Sequence, residues 1–141
     1  MLSDERSSMK SWEKRINKVL GKDCEVNHNN SVRFKNHLLK ELKFPLKVTG
    51  IEDFSWEEPY LLGGWDKKEY DRLKKTNPSY TDIFELLDIE DPNKYDDLIG
   101  KIKRESDGKV FLWGLSFLRT FDKKSPPYHV LNDYSIWHCN Y

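Results

Sequence analysis

The sequence contains little cysteine and no long apolar run. Two cysteines among 141 residues are too few for a disulfide framework, and reduced thiols are expected in a cytoplasm. No run approaches the roughly 20 apolar residues of a membrane span, and the N-terminus lacks the apolar core of a signal peptide. These absences predict a soluble cytoplasmic protein that does not enter a membrane.

Common catalytic signatures are also missing. The chain has no glycine-rich phosphate loop, no G-x-S-x-G nucleophile motif, and no other pattern that ties a serine or cysteine to a histidine. Pairs of acidic residues are in principle capable of acid–base chemistry, but no substrate groove is evident in a chain of this length. We therefore expect a protein that is not an enzyme.

Net charge is zero, but its distribution is uneven. Residues 1–50 carry +5, residues 51–100 carry −8 and residues 101–141 carry +3. The basic residues Lys101, Lys103 and Arg104, near Phe111 and Trp113, keep a nucleic-acid-binding sheet as an alternative. The acidic middle third would repel phosphates, so we do not expect nucleic acid as a partner.

The spacing of apolar residues predicts short helices followed by short strands. Helical spacing and a Gly21 stop predict a first helix capped by Ser11, and Asp66 is expected to cap another. The tripeptide "SDG" (106–108) between two apolar runs indicates a hairpin. The predicted helices are 11–21, 32–42 and 66–75, and the predicted strands are 44–48, 80–90, 98–105, 109–121 and a terminal aromatic strand within 128–141.

This order predicts an α+β fold that is mainly β. The best fit is a small, SH3-like, partly open antiparallel barrel with an N-terminal helical extension. Residues 1–35 would form the extension and pack on the barrel, since such short helices cannot bury a core alone. Residues 36–141 would form the barrel domain.

The most distinctive local feature is "DIEDPNKYDDLIG" (88–100), inside the acidic third. On a strand, Asp88 and Glu90 project to the same face, and Asp96 and Asp97 are expected to open the next strand. Such a loop would gather oxygen ligands, and Ca²⁺ takes 6–8 oxygens in a loose geometry. No EF-hand loop is present, so any calcium site would be irregular. The first candidate ligands are Asp88, Glu90, Asp91, Asp96 and Asp97, with the Asn93 side chain and loop carbonyls completing the shell.

A second acidic set lies in "IEDFSWEE" (51–58), where aromatic anchors alternate with carboxylates. It would share a cation with the first set if the barrel brings the two loops together, and Asp133 is a third contributor. A zinc site from Cys24, His28, His138 and Cys139 is less favoured, because adjacent strand residues point to opposite faces. The additional calcium candidates are Glu52, Asp53, Glu57, Glu58 and Asp133.

Two stretches carry a family resemblance. They are "FPLKVTGIEDFSWEEPYLLGGWDKKEYDRLKKTNPSYTDIFELLDIE" and "SDGKVFLWGLSFLRTFDKKSPPYHVLNDYSIW". Over roughly residues 36–138 the chain resembles the CcbP-like bacterial calcium-binding protein family. The resemblance implies a small SH3-like β-protein that binds Ca²⁺ through clustered Asp and Glu in loops, inside the cell and without catalysis.

The leading hypothesis is therefore a non-catalytic intracellular calcium-binding protein. An alternative is a protein-interaction module of the immunity or inhibitor type, whose partner would meet the N-terminal extension or the acidic face. A nucleic-acid-binding small barrel comes third.

Overall fold

A computed structural model describes residues 9–63 and 66–141. Five helices and five strands lie in this part of the chain, and more residues are in helices than in strands. None of the described helices is both long enough and apolar enough to cross a membrane. In chain order the elements are α1 (Ser11–Leu20), α2 (His28–Glu41), β1 (Leu46–Gly50), α3 (Glu58–Leu62), α4 (Lys67–Leu73), β2 (Phe84–Glu90), β3 (Ile99–Arg104), β4 (Val110–Gly114), a 3₁₀ turn (Leu115–Phe117), β5 (Leu118–Arg119) and α5 (Pro126–Asn140).

Local caps explain the limits of the two N-terminal helices. The N-cap of α1 is Lys10, so the cap expected at Ser11 is wrong by one residue. Gly21 ends α1 with a φ of 79°, a conformation that favours glycine. α2 begins four residues earlier than expected, because the Asn27 side chain accepts a hydrogen bond from the Asn30 amide at 2.9 Å.

The five strands form one antiparallel sheet in the order β4-β3-β2-β1-β5. It curls into a half-barrel, because β4 continues through the 3₁₀ turn into β5, which pairs with β1 at the far edge. The predicted hairpin is confirmed as β3–β4, with Gly108 at a φ of 76° in its turn. The long strand expected over 109–121 is instead interrupted at the 3₁₀ turn.

The last element differs most from the expectation. The chain from Pro126 to Asn140 is a helix, α5, so the predicted terminal strand is wrong. Prolines stand at its first two positions, where a missing N–H costs nothing. Leu131, Tyr134 and Trp137 recur every three residues and are fully buried, which is helical spacing.

One hydrophobic core joins the helices to the sheet. It includes Ile16 of α1, Phe34 of α2, Val48 of β1 and Trp137 of α5. The domain boundary expected between residues 35 and 36 falls inside α2. The N-terminal helices thus contribute side chains to the same core as the sheet.

Candidate metal site

The acidic segment 88–97 begins on the outer face of β2. Asp88 and Glu90 are both exposed there, as the strand alternation predicts. Asp88 lies opposite Lys101 of β3, and Glu90 lies opposite Ile99. Residues opposite each other on an antiparallel pair share a face, so Lys101 partly offsets the charge of Asp88.

Asp91 is held by a cation from the N-terminal helices. Its Oδ1 accepts a hydrogen bond from Nζ of Lys35 on α2 at 2.9 Å. This bond holds the pKa of the Asp91 carboxyl below its ordinary value. The carboxylate is 75% exposed, so the pair is open to solvent and contributes little to stability.

The loop after Asp91 is ordered by an amide side chain. Asn93 Oδ1 accepts hydrogen bonds from the backbone N–H groups of Tyr95 and Asp97, so that oxygen is already occupied. Asp96 has a φ of 61°, and its carbonyl accepts a hydrogen bond from Ser31 of α2. The β3 strand starts only at Ile99, so Asp96 and Asp97 do not open it.

Asp97 is buried and fully engaged in the protein interior. Its Oδ1 accepts a hydrogen bond from the Tyr134 hydroxyl at 2.6 Å, and its Oδ2 accepts one from the Ser116 hydroxyl at 2.8 Å. The Ser116 amide also donates to Oδ1 at 3.2 Å, and the Leu98 amide donates to the Tyr134 oxygen at 2.7 Å. Burial, and then the charge of Asp97, raise the pKa of Tyr134, so this phenol stays protonated as a donor.

Glu57 is a second buried carboxylate with a structural role, and it is fully inaccessible to solvent. Its Oε2 accepts hydrogen bonds from the amides of Phe54 and Tyr80, each at 3.0 Å. Its Oε1 accepts from the hydroxyls of Tyr70 and Ser79. Burial, and then the bond to Glu57, raise the pKa of Tyr70 to about 12. Glu57 therefore joins the loop after β1 to the start of the segment that leads into β2.

Asp133 is the third carboxylate that the fold uses internally. It lies on α5, and the Arg15 guanidinium of α1 donates hydrogen bonds to both of its oxygens. Nη2 donates to Oδ1 at 3.0 Å, and Nε donates to Oδ2. The Asp133 side chain is 7% exposed. The bond to Asp133 raises the pKa of Arg15. This bidentate pair fastens α1 to α5.

The remaining acids of the second set stay at or near the surface. Glu52 is exposed in the loop after β1, Asp53 is half-buried in the same loop, and Glu58 is the exposed first residue of α3. In the part of the chain that the structure describes, no three His, Cys, Asp or Glu side chains come together as a group able to hold a metal ion. The two acidic sets are thus not brought together around one site.

These positions decide how well a calcium ion fits. Glu57, Asp97 and Asp133 would each have to give up protein donors, so they do not fit the role of ligand. The fold leaves Asp88, Glu90, Asp91 and Asp96 along one surface segment, which we call the acidic loop. As they stand, these four do not form a preformed calcium site, and a shell of 6–8 oxygens would need the loop to rearrange.

The residues considered for nucleic acid and for zinc are also separated in the structure. Arg104 is 3% exposed and points inward, whereas Lys101 and Lys103 lie on the outer face. Cys24 is buried, and its single S–H has two acceptors within reach, Asn17 Oδ1 and the Gly21 carbonyl, each 3.2 Å from Sγ. Neither the basic set nor the four Cys and His residues form a site among the residues described.

Sequence reasoning missed the structural importance of Arg104. Its guanidinium donates to both carboxylate oxygens of Asp107 in the hairpin turn and to Asp82. It also donates to three backbone carbonyls from the segment that follows α4. The three-residue spacing to Asp107 was a readable signal, whereas the other acceptors are distant in sequence. Arg104 therefore anchors the turn and the 74–77 segment together.

The fold and its buried carboxylates define a small α+β protein built on a curled antiparallel half-barrel. This chain is similar to a solved structure, that of CcbP from Anabaena. The two are 16% identical, the match covers 92% of this chain and 93% of that chain, and the TM-score is 0.57. The sequence matches no protein-family profile and no curated protein. The similarity shows a CcbP-like fold, and it extends over more of the chain than residues 36–138.

Proposed function

We propose that this chain is a non-catalytic calcium-binding protein that binds Ca²⁺ weakly, through the acidic loop alone. The proposal rests on where a CcbP-like fold places the candidate carboxylates, some in the interior and some at the surface. Three of the candidate carboxylates accept hydrogen bonds inside the protein, and four lie along one surface segment. The family resemblance of the sequence supplies the expectation of calcium.

The weak affinity follows from the surroundings of the loop. Asp91 already has the Lys35 ammonium as its counter-ion, and Asp88 has Lys101 across the strand pair. Calcium would displace the first of these and compete with the second, and rearranging the loop would break the hydrogen bonds that Asn93 accepts from the backbone. We therefore place the dissociation constant between about 0.1 and 1 mM, the weak end of protein calcium sites.

Calorimetry with Ca²⁺ on matched variants tests the proposal. Asp88→Asn/Glu90→Gln should abolish the heat, whereas Asp71→Asn, which neutralises an exposed carboxylate on α4, should leave it unchanged. Lys35→Met should tighten binding by up to about fivefold, because an exposed ion pair contributes at most about 1 kcal/mol. Absence of wild-type binding tighter than about 1 mM would overturn the proposal.

A further inference from the structure

A cavity separate from the acidic loop lies at the C-terminal half of α5. Its volume is about 520 Å³, within the range of small-molecule sites. Ile51, in the loop after β1, and Phe117, in the 3₁₀ turn, form apolar walls together with Ile136 of α5. Ile51 and Phe117 are 43% and 37% exposed, so part of each side chain is open to solvent at the cavity, while the Phe117 ring also packs against the core residue Phe54 at 6.0 Å.

The permanent charge on the wall of this cavity is negative. Glu52 is the one permanently charged side chain among the described residues that line it. The last turn of α5 also lines the cavity, and the final carbonyls of a helix carry the negative end of its dipole. The buried Asp97 carboxylate lies directly behind the lining residue Ser116. Burial, and then the charges of Asp97 and Glu52, raise the pKa of the Cys139 thiol on the same wall.

An unpartnered hydroxyl belongs to the same wall. Ser135 lines the cavity and is 6% exposed, and its Oγ has no hydrogen-bond partner among residues 9–63 and 66–141. Buried hydroxyls are normally satisfied, because an unmade bond costs about 1–3 kcal/mol. Oγ is itself inaccessible, so a change of its side-chain torsion to another staggered position would first have to turn it toward the cavity, where a ligand would supply the missing partner.

We propose that this cavity binds a small organic amine with an apolar body. The ammonium group would lie between Glu52 and the carbonyl end of α5, and the apolar body would lie against Ile51 and Phe117. An anion of the same shape would meet the charge of Glu52 and the helix end, so the sign of the ligand charge decides binding. The proposal does not rest on calcium binding, although Nε2 of the lining residue His138 lies 3.1 Å from the Tyr95 carbonyl of the acidic loop.

A matched pair of ligands tests the sign of the charge. Phenethylamine and 3-phenylpropionate carry the same ring and opposite charges, and each is titrated into the full chain at pH 8 and followed by amide chemical shifts. We expect the amine to bind with a dissociation constant on the order of 1 mM, as about nine non-hydrogen atoms allow. The shifts should centre on Glu52, Phe117 and residues 135–140, and the propionate should not bind there.

Three variants test the named groups. Glu52→Gln should weaken amine binding by about three- to fivefold, and Glu58→Gln, an exposed carboxylate outside the cavity, should not. Ser135→Ala should weaken binding at least about twofold without loss of thermal stability, since the lost hydroxyl has no partner in the free protein. Equal binding of the two ligands, shifts elsewhere on the protein, or unchanged affinity in Glu52→Gln or Ser135→Ala would overturn the proposal.

Discussion

Removal of the Tyr134 hydroxyl is the most specific test of the hydrogen bonds around the buried Asp97. Tyr134→Phe removes one oxygen and keeps the ring, which packs at 5.3 Å from Phe34 and 5.8 Å from Trp137. No cavity of side-chain size is created, so the change isolates hydrogen bonding. Two bonds are lost at once, one donated to Asp97 and one accepted from the Leu98 amide.

The magnitude follows from the charge on Asp97 and from burial. A hydrogen bond to a charged group contributes about 1.5–3 kcal/mol, and an orphaned buried N–H costs about 1–3 kcal/mol. Because these terms overlap, we expect Tyr134→Phe to lower the free energy of unfolding by about 3 kcal/mol. Domains are commonly stable by only about 5–15 kcal/mol, so this is a large fraction of the total.

Urea denaturation measures this loss directly. With an m-value of about 1–3 kcal/mol/M, the midpoint should fall by at least about 1 M with little change in m. Tyr95→Phe is the matched control: Tyr95 is 69% exposed, and its substitution should change stability by less than about 0.5 kcal/mol. A loss below about 1 kcal/mol in Tyr134→Phe would refute the structural role assigned to Asp97.

Three further predictions concern other parts of the fold. Arg104→Met should destabilise the protein by about 2–3 kcal/mol in the same urea assay, because the carbonyls of Lys74 and Asn77 lose their guanidinium donor; a loss under about 1 kcal/mol would contradict this. Gly50→Ala should cost about 1–3 kcal/mol, since a Cβ there would lie 2.6 Å from the Cα of Tyr80, which is backbone and cannot turn aside; a variant as stable as wild type would rule out this close approach. Burial raises the pKa of Tyr70 from 10 to about 12. The contribution of this group to the free energy of unfolding is therefore fully present below pH 10 and is lost as the pH rises from 10 to 12. Tyr70→Phe should flatten the slope of unfolding free energy against pH in that window, and an unchanged slope would exclude Tyr70 as its source.

Local signals in the sequence predicted several elements correctly. The Asp66 cap is confirmed, since its side chain accepts from the amides of Lys68 and Glu69. Gly21 and Gly108 both take the positive φ that their positions implied. Each of these features depends on residues within four positions of one another, and such contacts are encoded by neighbours in the chain.

The C-terminal helix shows how a short-range reading fails. Aromatic residues in "YHVLNDYSIWHCNY" favour strands, and that preference outweighed the helical spacing of the apolar side chains. The proline pair at the helix start and the spacing of Leu131, Tyr134 and Trp137 were available signals. Packing of these side chains into the common core favours the helix, and this packing outweighs the intrinsic strand preference of the aromatic residues.

Burial divides the candidate ligands in a way that the sequence does not reveal. Asp96 and Asp97 are adjacent and identical in type, yet one lies in the surface loop and the other accepts three hydrogen bonds in the interior. The donors to Asp97 come from Ser116 and Tyr134, which are distant in the chain. Likewise, Asp133 forms an ion pair with Arg15, which lies near the opposite end of the sequence. Such partners become known only when the fold is known.

A calcium titration followed by amide chemical shifts tests the central claim most directly. The account predicts saturable shifts at residues 88–96 and at their neighbours Lys35 and Lys101, with a dissociation constant between about 0.1 and 1 mM, and unchanged amides at Leu98 and Ser116. Micromolar binding with large shifts at Leu98 and Ser116 would show that Asp97 is a ligand and would contradict the account. An absence of shifts in the acidic loop at 1 mM Ca²⁺ would contradict it as well.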